Sequence, residues 1–431
     1  MTHSIKTQDH GECNRTMKNL FKKINYENWP SSIRRLVNVC IGFHIFGYPY
    51  KKLKIIGVTG TNGKTTITTL LYKIATELGY KAGLIGTVEH IIVGKKVSTD
   101  FTTPEAFALN KLLSKMVLQG CEYVFMEVSS HGLEEKRVTG LKFTGAIFTN
   151  LTHDHLDYHK NMENYFLAKR KLFKMLPAQA FALSNVDDEY GDRMLENIKA
   201  QKFLYGFNEN KNFHGEIKKL NFDGLDLVFN GKNIKSKLLG KFNASNLLAV
   251  WSACKLLGFN MNKVNKILEN IEPPKGRLDR LMSPSGVFAI VDYAHTPDAL
   301  ENVLLTIKEV KPEGGRIISV FGCGGDRDFL KRSAMGKIGA SLSDIAIFTS
   351  DNPRSEDPDK IIDSMKDNLT PEELRKVITI SDRRLAIKEA MELAKKGDIV
   401  LCAGKGHENY QEIKGVKTHF DDMEEFQKSF I

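Results

Sequence analysis

Ten residues, Gly57-Val58-Thr59-Gly60-Thr61-Asn62-Gly63-Lys64-Thr65-Thr66, constrain this chain more than any other stretch. The run Leu53 to Val58, apolar except at Lys54 and Gly57, reads as a buried strand. Two glycines then make a tight turn, and a helical pattern follows from Lys64 to Leu78. A glycine-rich loop between strand and helix aims backbone N–H groups and the positive helix end at one spot, which suits phosphate. Lys64 adds a point charge for outer phosphates, and Thr65 a hydroxyl for Mg²⁺. The general pattern wants glycine five residues before Gly63, where this chain has Val58, so the spacing is irregular. The plainer alternative is an ordinary strand–turn–helix connection.

After Lys52 strand and helix signals alternate. Apolar runs at 54–58, 123–128, 145–149 and 180–183 alternate with helical patterns at 64–78, 104–119 and 162–176. Such alternation means a mostly parallel sheet covered by helices. Residues 201–242 carry Asp-Gly and Asn-Gly turns and read as antiparallel hairpins, closed by a helix over 243–257. Pro273-Pro274 and Gly276 mark a break, and a second α/β set follows, with strands near 287–292, 316–321, 345–349, 377–380 and 398–402. The expected architecture is α/β: a reduced N-terminal region over 1–50 with one helix near 31–46, a central phosphate-loop mononucleotide-binding domain over 51–272, and a C-terminal Rossmann-like domain over 273–431.

The net charge of +10 is compatible with nucleic acid, an anionic membrane surface or a polyanionic small substrate. The basic residues are spread out, with no arginine/lysine arm and no aromatic-plus-basic RNA motif, so a nucleotide-rich small substrate is the simplest reading and no nucleic-acid partner is expected. Six scattered cysteines with no Cys-x-x-Cys argue against a zinc site or disulfide framework and fit a reducing cytoplasm. The polar first 19 residues are not a signal peptide. The apolar segment 36–46 is too short to span a bilayer, so a packed domain-edge helix is expected rather than a membrane-inserted one.

Polar clusters follow several strands, where ligands bind in open α/β sheets. Glu127 precedes Ser129-Ser130-His131, and a carboxylate beside a phosphate loop is a natural Mg²⁺ partner. Asn150 begins a run in which His153, Asp154, His155, Asp157 and His159 invite a metal reading, against a polar loop with one or two structural histidines. Lys169 falls on the apolar stripe Met162, Tyr165, Phe166, Leu172, Phe173 and Leu176. A lysine there either shifts to the neutral amine and does chemistry, or snorkels. In the second α/β set the strand ends carry Tyr293 and His295, Gly322 to Asp328, Asp351 to Arg354, and Gly404 to Glu408. Each alone reads as a solvated loop, but together they offer a cation for a carboxylate and an anion for an amine.

The ordered set Thr59-Gly60-Thr61-Asn62-Gly63-Lys64-Thr65-Thr66, Thr102-Thr103-Pro104, Glu127-Val128-Ser129-Ser130-His131, Asn150 with Asp154-His155-Leu156-Asp157, and Asp351-Asn352-Pro353-Arg354 resembles the Mur ligases. Within that family it is most similar to the diaminopimelate-adding, MurE type. The resemblance runs from about Lys52 to Glu425. It implies a cytoplasmic, monomeric ligase of peptidoglycan precursor synthesis that uses ATP and Mg²⁺. ATP would phosphorylate the carboxylate of UDP-MurNAc-L-Ala-D-Glu, and meso-diaminopimelate would displace phosphate from the acyl phosphate. ATP would bind first, the acceptor next and the amine last, with the C-terminal domain closing about Pro273–Gly276. Gly60, Thr61, Asn62, Gly63, Lys64, Thr65 and Thr66 would hold the ATP phosphates, with Asn150 beside them and Arg277 reaching them. Asn246, Tyr293 and His295 would contact adenine and ribose. Thr65 and Glu127 would serve one Mg²⁺, and His155 a second together with Lys169, which aligns with a lysine that family members carbamylate. Thr102, Thr103, Ser129, Glu135 and Arg137 would face the acceptor. Arg327, Asp351, Asn352, Pro353, Arg354, Gly404 and Glu408 would take the incoming amino acid. Arginine at the end of the Asp-Asn-Pro-Arg motif accompanies diaminopimelate, because a guanidinium clamps the second carboxylate with two hydrogen bonds and lysine cannot.

The chain departs from the family twice. Glu135 stands where a glutamine is usual, placing an acidic group near an anionic acceptor. Residues 1–50 are shorter than the family's uridine-gripping first domain, so that grip is expected to be reduced, rebuilt or absent. The alternative function is a superfamily ligase with another acceptor or amine, L-lysine or a folylpolyglutamate-type substrate among them.

Overall fold

The computed structural model of the protein describes residues 30–97, 101–152, 154–208 and 212–430. His153 therefore lies outside the described residues, as do residues 1–29. The first sheet has strands β1 (Lys54–Thr59), β2 (Ala82–Ile85), β3 (His90–Ile92), β4 (Lys95–Val97), β5 (Tyr123–Glu127), β6 (Gly145–Phe148), β7 (Phe181–Asn185), β8 (Gln201–Gly206), β9 (Phe213–Asn221), β10 (Gly224–Phe229) and β11 (Lys232–Ser236). Their order is β11-β10-β9-β8-β7-β6-β1-β5-β2-β3-β4. β1 pairs in parallel with β5 on one side and β6 on the other. From β1 the chain runs on to β2 on one side of the sheet, and from β6 to β7 on the other, so the carboxyl end of β1 lies at a topological switch, where such sheets bind ligands.

Every residue of β1 after Lys54 is buried because helices cover both faces. Period-two alternation sends Ile56 and Val58 into one apolar cluster, with the helices Lys64–Glu77 and Lys241–Leu256. Ile55 points the other way, into a cluster with Ala106–Leu118 and Met162–Lys174. Each such fully buried side chain contributes about 1.5–3 kcal/mol relative to exposure. Val58 is a core residue paired with Glu127 and Ile147, so no glycine is needed there and the irregular spacing costs nothing.

The helix Ser31–Phe46 ends on Gly47 in the left-handed region. It packs on Ala106–Leu118: a Cβ on Gly42 would lie 3.2 Å from Asn110, and Phe46 meets Phe107 edge-on at 5.2 Å. It is thus a packed helix, and no helix among the described residues is long and apolar enough to cross a membrane.

The structure differs from expectation at the sheet's two ends. β2, β3 and β4 were not foreseen, because each is only three or four residues long and β4 is mostly exposed. Residues 201–242 are not all hairpins. β8 runs parallel to β7, and β9 joins β8 in parallel over two residue pairs; only β9-β10-β11 is antiparallel. The Asn230-Gly231 turn has both residues at positive φ, 44° and 76°, the geometry a two-residue hairpin demands.

The second sheet comprises β12 (Asp279–Met282), β13 (Phe288–Asp292), β14 (Ile317–Phe321), β15 (Ile345–Phe348), β16 (Val377–Thr379) and β17 (Ile399–Ala403), in the order β12-β13-β17-β14-β15-β16. All pairings are parallel except that of the edge strand β12 with β13, which the sequence reading did not foresee. Apolar clusters lie on both faces. A small hairpin, β18 (Tyr410–Ile413) with β19 (Val416–His419), follows. Cys121, Cys254, Cys323 and Cys402 are free and buried.

Candidate active site

The phosphate loop is held open by its two glycines. Gly60 (φ 152°) has no room for a side chain, since a Cβ would sit 1.8 Å from Thr149 Oγ1. Gly63 (φ 87°) is the N-cap of Lys64–Glu77, and a Cβ there would meet Asn246 Oδ1 at 2.5 Å. Neighbouring strand ends fix the loop between them. Thr61 N–H donates to Asn150 O (2.8 Å), Asn62 N–H to Asn150 Oδ1 (2.9 Å), and Thr149 Oγ1 to Asn62 O (2.6 Å).

Two lysines converge on one carbonyl. Lys64 Nζ donates to Gly60 O at 2.8 Å and Thr61 O at 2.7 Å, and Lys169 Nζ donates to the same Gly60 O at 2.8 Å. Lys169 is 1% exposed and sits 4.3 Å above the Tyr165 ring, so it does not snorkel. Burial, reinforced by the Lys64 charge, pushes its pKa well below the ordinary lysine value. Burial also lowers Lys64, with Glu127 and Asp154 opposing.

Glu127 is buried at the end of β5 and gripped on both oxygens by Thr87, whose N–H donates to Oε1 (2.9 Å) and whose hydroxyl donates to Oε2 (3.0 Å). Thr87 Oγ1 also lies 3.0 Å from Thr102 Oγ1. Sequence reasoning missed Thr87; the signal was the short apolar run Ala82–Ile85 followed by Gly86-Thr87.

The histidines divide. His159 is buried, stacks on Tyr165 at 5.0 Å and bonds Ser130 Oγ at 2.9 Å, and burial lowers its pKa to about 4; it is structural. His155 is half-exposed at φ 54°, 3.4 Å from Asp154 and 4.9 Å edge-on to His131. Among the described residues no cluster of three His, Cys, Asp or Glu forms a ready metal cage.

A cleft of about 810 Å³ opens between the two sheets. Thr61 to Thr66, Thr102, Glu127, Ser129, Asn150, His155, Lys169 and Asn246 line it from the first sheet's side, and Arg277, Tyr293 and His295 from the second's. Asn246 is oriented by Asn243 (3.1 Å). Arg277 lies 5.0 Å over the Tyr293 ring, and its buried Nε has no hydrogen-bond partner. His407 packs on the same ring at 4.8 Å.

The remaining predicted residues lie beside the cleft. Thr103 is fully buried: its hydroxyl donates to Glu127 O and accepts from Ser129 N–H, each at 3.0 Å, so it shapes the wall from behind. Arg137 Nε donates to Glu135 Oε2 at 2.8 Å, Arg137 Nη2 reaches Glu105 Oε1 at 3.1 Å, and the Phe101 ring is 4.7 Å from the guanidinium. Glu135 is thus a partner of Arg137. At the carboxyl edge of the second sheet, Asn352 Nδ2 donates to Glu408 Oε2 at 2.9 Å. Lys405, fully buried, donates to both Asn352 Oδ1 and Glu408 Oε2 at 3.3 Å; it belonged to a recognised motif, but nothing in the sequence gave it this role. Arg354, at φ 52°, donates from Nη1 to Gly325 O at 2.7 Å. Exposed Arg327 flanks the same turn, with its Cγ and Arg354 Nη1 3.7 and 2.9 Å from the Cβ position of Gly324. Pro353 is buried with its carbonyl against Gly325. Gly404 (φ 113°) links the two groups: its N–H donates to Asp292 O at 3.1 Å, and its Cβ position is 2.9 Å from Asp351 Oδ2.

Comparison with known proteins finds relatives over most of the chain. Residues 58–254 match the Mur ligase middle domain, and residues 276–406 match the Mur ligase, glutamate ligase domain. The chain is 52% identical over 385 residues to the UDP-N-acetylmuramoyl-L-alanyl-D-glutamate–2,6-diaminopimelate ligase of Parabacteroides distasonis, covering 89% of this chain and 79% of that one. It is 46% identical to the ligase of the same name from Clostridium botulinum, over 88% and 78%. A solved structure of a UDP-N-acetylmuramoyl-L-alanyl-D-glutamate–2,6-diaminopimelate ligase superposes with a TM-score of 0.67 at 35% identity, over 91% and 82% of the two chains. Mycobacterium tuberculosis folylpolyglutamate synthase shares the fold, with a TM-score of 0.68 at 16% identity over 86% and 93%. Phosphate loop, buried glutamate and lysine, and two matched domains together place this chain in the Mur ligase family.

Proposed function

We propose that this chain joins meso-diaminopimelate to UDP-MurNAc-L-Ala-D-Glu at the expense of ATP, as a cytoplasmic monomer. The observation that carries the choice of amine is the cluster at the second sheet's edge: Arg327 and Arg354 flank one turn, beside the Asn352–Glu408 pair. An amine with one amino-acid end for ligation and a second for recognition needs two cations and an anion so placed.

The phosphate loop and Lys64 hold the nucleotide's phosphates, and the partnerless Arg277 Nε is a buried donor that suits the same anion. Asn246, Tyr293 and His295 flank the base and ribose. Thr102 and Ser129 face the acceptor, with Thr103 holding their wall and Arg137, Glu135 and Glu105 forming its charged margin. Thr65 and Glu127 supply hard oxygens suited to Mg²⁺, which when bound neutralises phosphate charge. The Lys169 amine as it stands does not suit a cation, and joins His155 in such a site only as its carbamate, which its lowered pKa favours by making the nucleophilic, uncharged amine more accessible. The acceptor carboxylate takes the γ-phosphoryl group of ATP and ADP leaves; the deprotonated amine then attacks the acyl phosphate, forming the amide bond as inorganic phosphate leaves.

Incubation with ATP, Mg²⁺ and this acceptor, with diaminopimelate or L-lysine in parallel, tests the reading by product mass. Ligated product with diaminopimelate is expected. Product with lysine alone would overturn the amine assignment, and no product with either would overturn the activity.

A further inference from the structure

The helix Pro297–Val310 belongs to the second domain but lies across the joint with the first. Near its far end, a Cβ on Gly240 would meet Thr306 Cγ2 at 2.5 Å, and Lys241 pairs with Glu309 at 2.6 Å. At its start, Asp298 reaches the phosphate loop. Asp298 Oδ2 accepts from Asn62 Nδ2 at 3.0 Å and from Thr152 Oγ1 at 3.1 Å. Asn62 is thereby fixed on three sides: its N–H by Asn150, its carbonyl by Thr149, and its side chain by Asp298. The first two anchors come from the loop's own domain and the third from across the cleft.

Asp298 is not among the residues that line the cleft, whereas Asn62, Thr152, Thr296 and Ala299 around it are. Asp298 is partly exposed, and its Oδ2 is occupied by these two donors. Both its donors are neutral, so no ion pair accounts for its place. Its position in the first turn of a helix favours a carboxylate, but that alone does not require an acceptor aimed at another domain.

We propose that Asp298 is a positioning residue that ties the phosphate loop to the second domain, so that seating of that domain and order of the nucleotide site are one event. The bond stabilises the loop only while the domains are docked, so losing it taxes nucleotide affinity through the fraction of docked molecules. This rests on the reading that the loop binds ATP.

The test is titration of the full chain with the non-hydrolysable analogue AMP-PNP, with melting curves as a check on folding. Asp298→Ala is expected to weaken binding about five- to tenfold. Asp298→Asn keeps one acceptor oxygen for the two donors while losing the charge and turning the other oxygen into an NH₂ group, and is expected to stay within about twofold of wild type. With product formation as readout, the KM for ATP rises in Asp298→Ala while kcat at saturating ATP is kept. Unchanged affinity in Asp298→Ala would overturn the proposal, as would equal losses in both variants, which a helix-terminus charge alone would produce. If Asp298→Ala does not fold, Thr152→Val removes one bond from the other side; about threefold weaker binding is expected, and wild-type binding would overturn the proposal. A wild-type chain that does not bind AMP-PNP overturns the nucleotide reading itself; normal wild-type binding with an indifferent Asp298→Ala overturns only the role of Asp298.

Discussion

Lys169 shows what a single position in the sequence can and cannot say. Its place on an apolar stripe was legible from spacing, because helical period fixes which residues share a face. That its amine shares the Gly60 carbonyl with Lys64 was not, since the two lysines are 105 residues apart in sequence and meet only in the folded sheet. Lys169→Ala should lower ligase activity by at least about a hundredfold, as loss of a charge-stabilising group in a buried site does. Its circular dichroism should stay that of wild type, because the variant loses a desolvated amine and one hydrogen bond. ADP release at wild-type rate would remove Lys169 from the chemistry. The glycines give the complementary case. Gly60→Ala would drive a methyl group into Thr149 Oγ1 at a φ of 152°, and should cost on the order of 2–3 kcal/mol or displace the loop. Denaturant midpoints with an unchanged slope would measure that cost. A variant as stable as wild type and binding AMP-PNP normally would show that the loop relaxes freely.

Among the elements, most strands legible in the sequence were those buried on both faces, although the partly buried edge strand β16 was also read and the fully buried β2 was missed. β1, β5, β6 and β7 read as continuous apolar runs, and so did β13 to β15 and β17. β3, β4, β12 and the β18–β19 hairpin were silent, being short and at, next to or beyond sheet edges. One silent stretch matters for the site. The turn after β2 carries Thr87, which holds both oxygens of Glu127. Thr87→Val keeps the backbone bond and the shape but removes the hydroxyl bond. The carboxylate should then swing, with kcat falling about tenfold and more Mg²⁺ needed for half-maximal rate, the size of effect expected when a metal ligand loses its orienting partner. A Mg²⁺ titration of ADP formation measures this; an unchanged midpoint would show that burial and the Thr87 N–H bond hold Glu127 without the hydroxyl.

For the whole molecule, the two-domain α/β plan follows from alternation and a proline-rich break, whereas the joint itself is tertiary. His407 illustrates the joint. It follows β17, packs on Tyr293, and abuts Gly276, whose Cβ position would be 2.2 Å from its N–H nitrogen. Burial, then the charges of Arg277 and Lys275, lowers its pKa to about 4, and its Nδ1 is buried without a partner. The unfolded chain holds the proton at an ordinary pKa of about 6.5. Between about pH 6.5 and 4 the unfolded state therefore binds more protons, and stability falls as pH falls. Above that window His407 is neutral in both states and contributes no slope; below it the loss is complete. His159, also near 4, adds the same sign from the first domain. His407→Gln should thus leave stability at pH 7.5 near wild type and recover about 1–3 kcal/mol of what wild type loses by pH 4. Urea unfolding at pH 7.5, 5.5 and 4 reads this directly. Because Lys275 and Arg277 sit in the linker, the recovered stability should belong to the second domain and its docking, so a probe there should move more than one near His159. Equal slopes for variant and wild type would mean that His407 escapes to solvent on protonation, and that the joint opens before either domain unfolds.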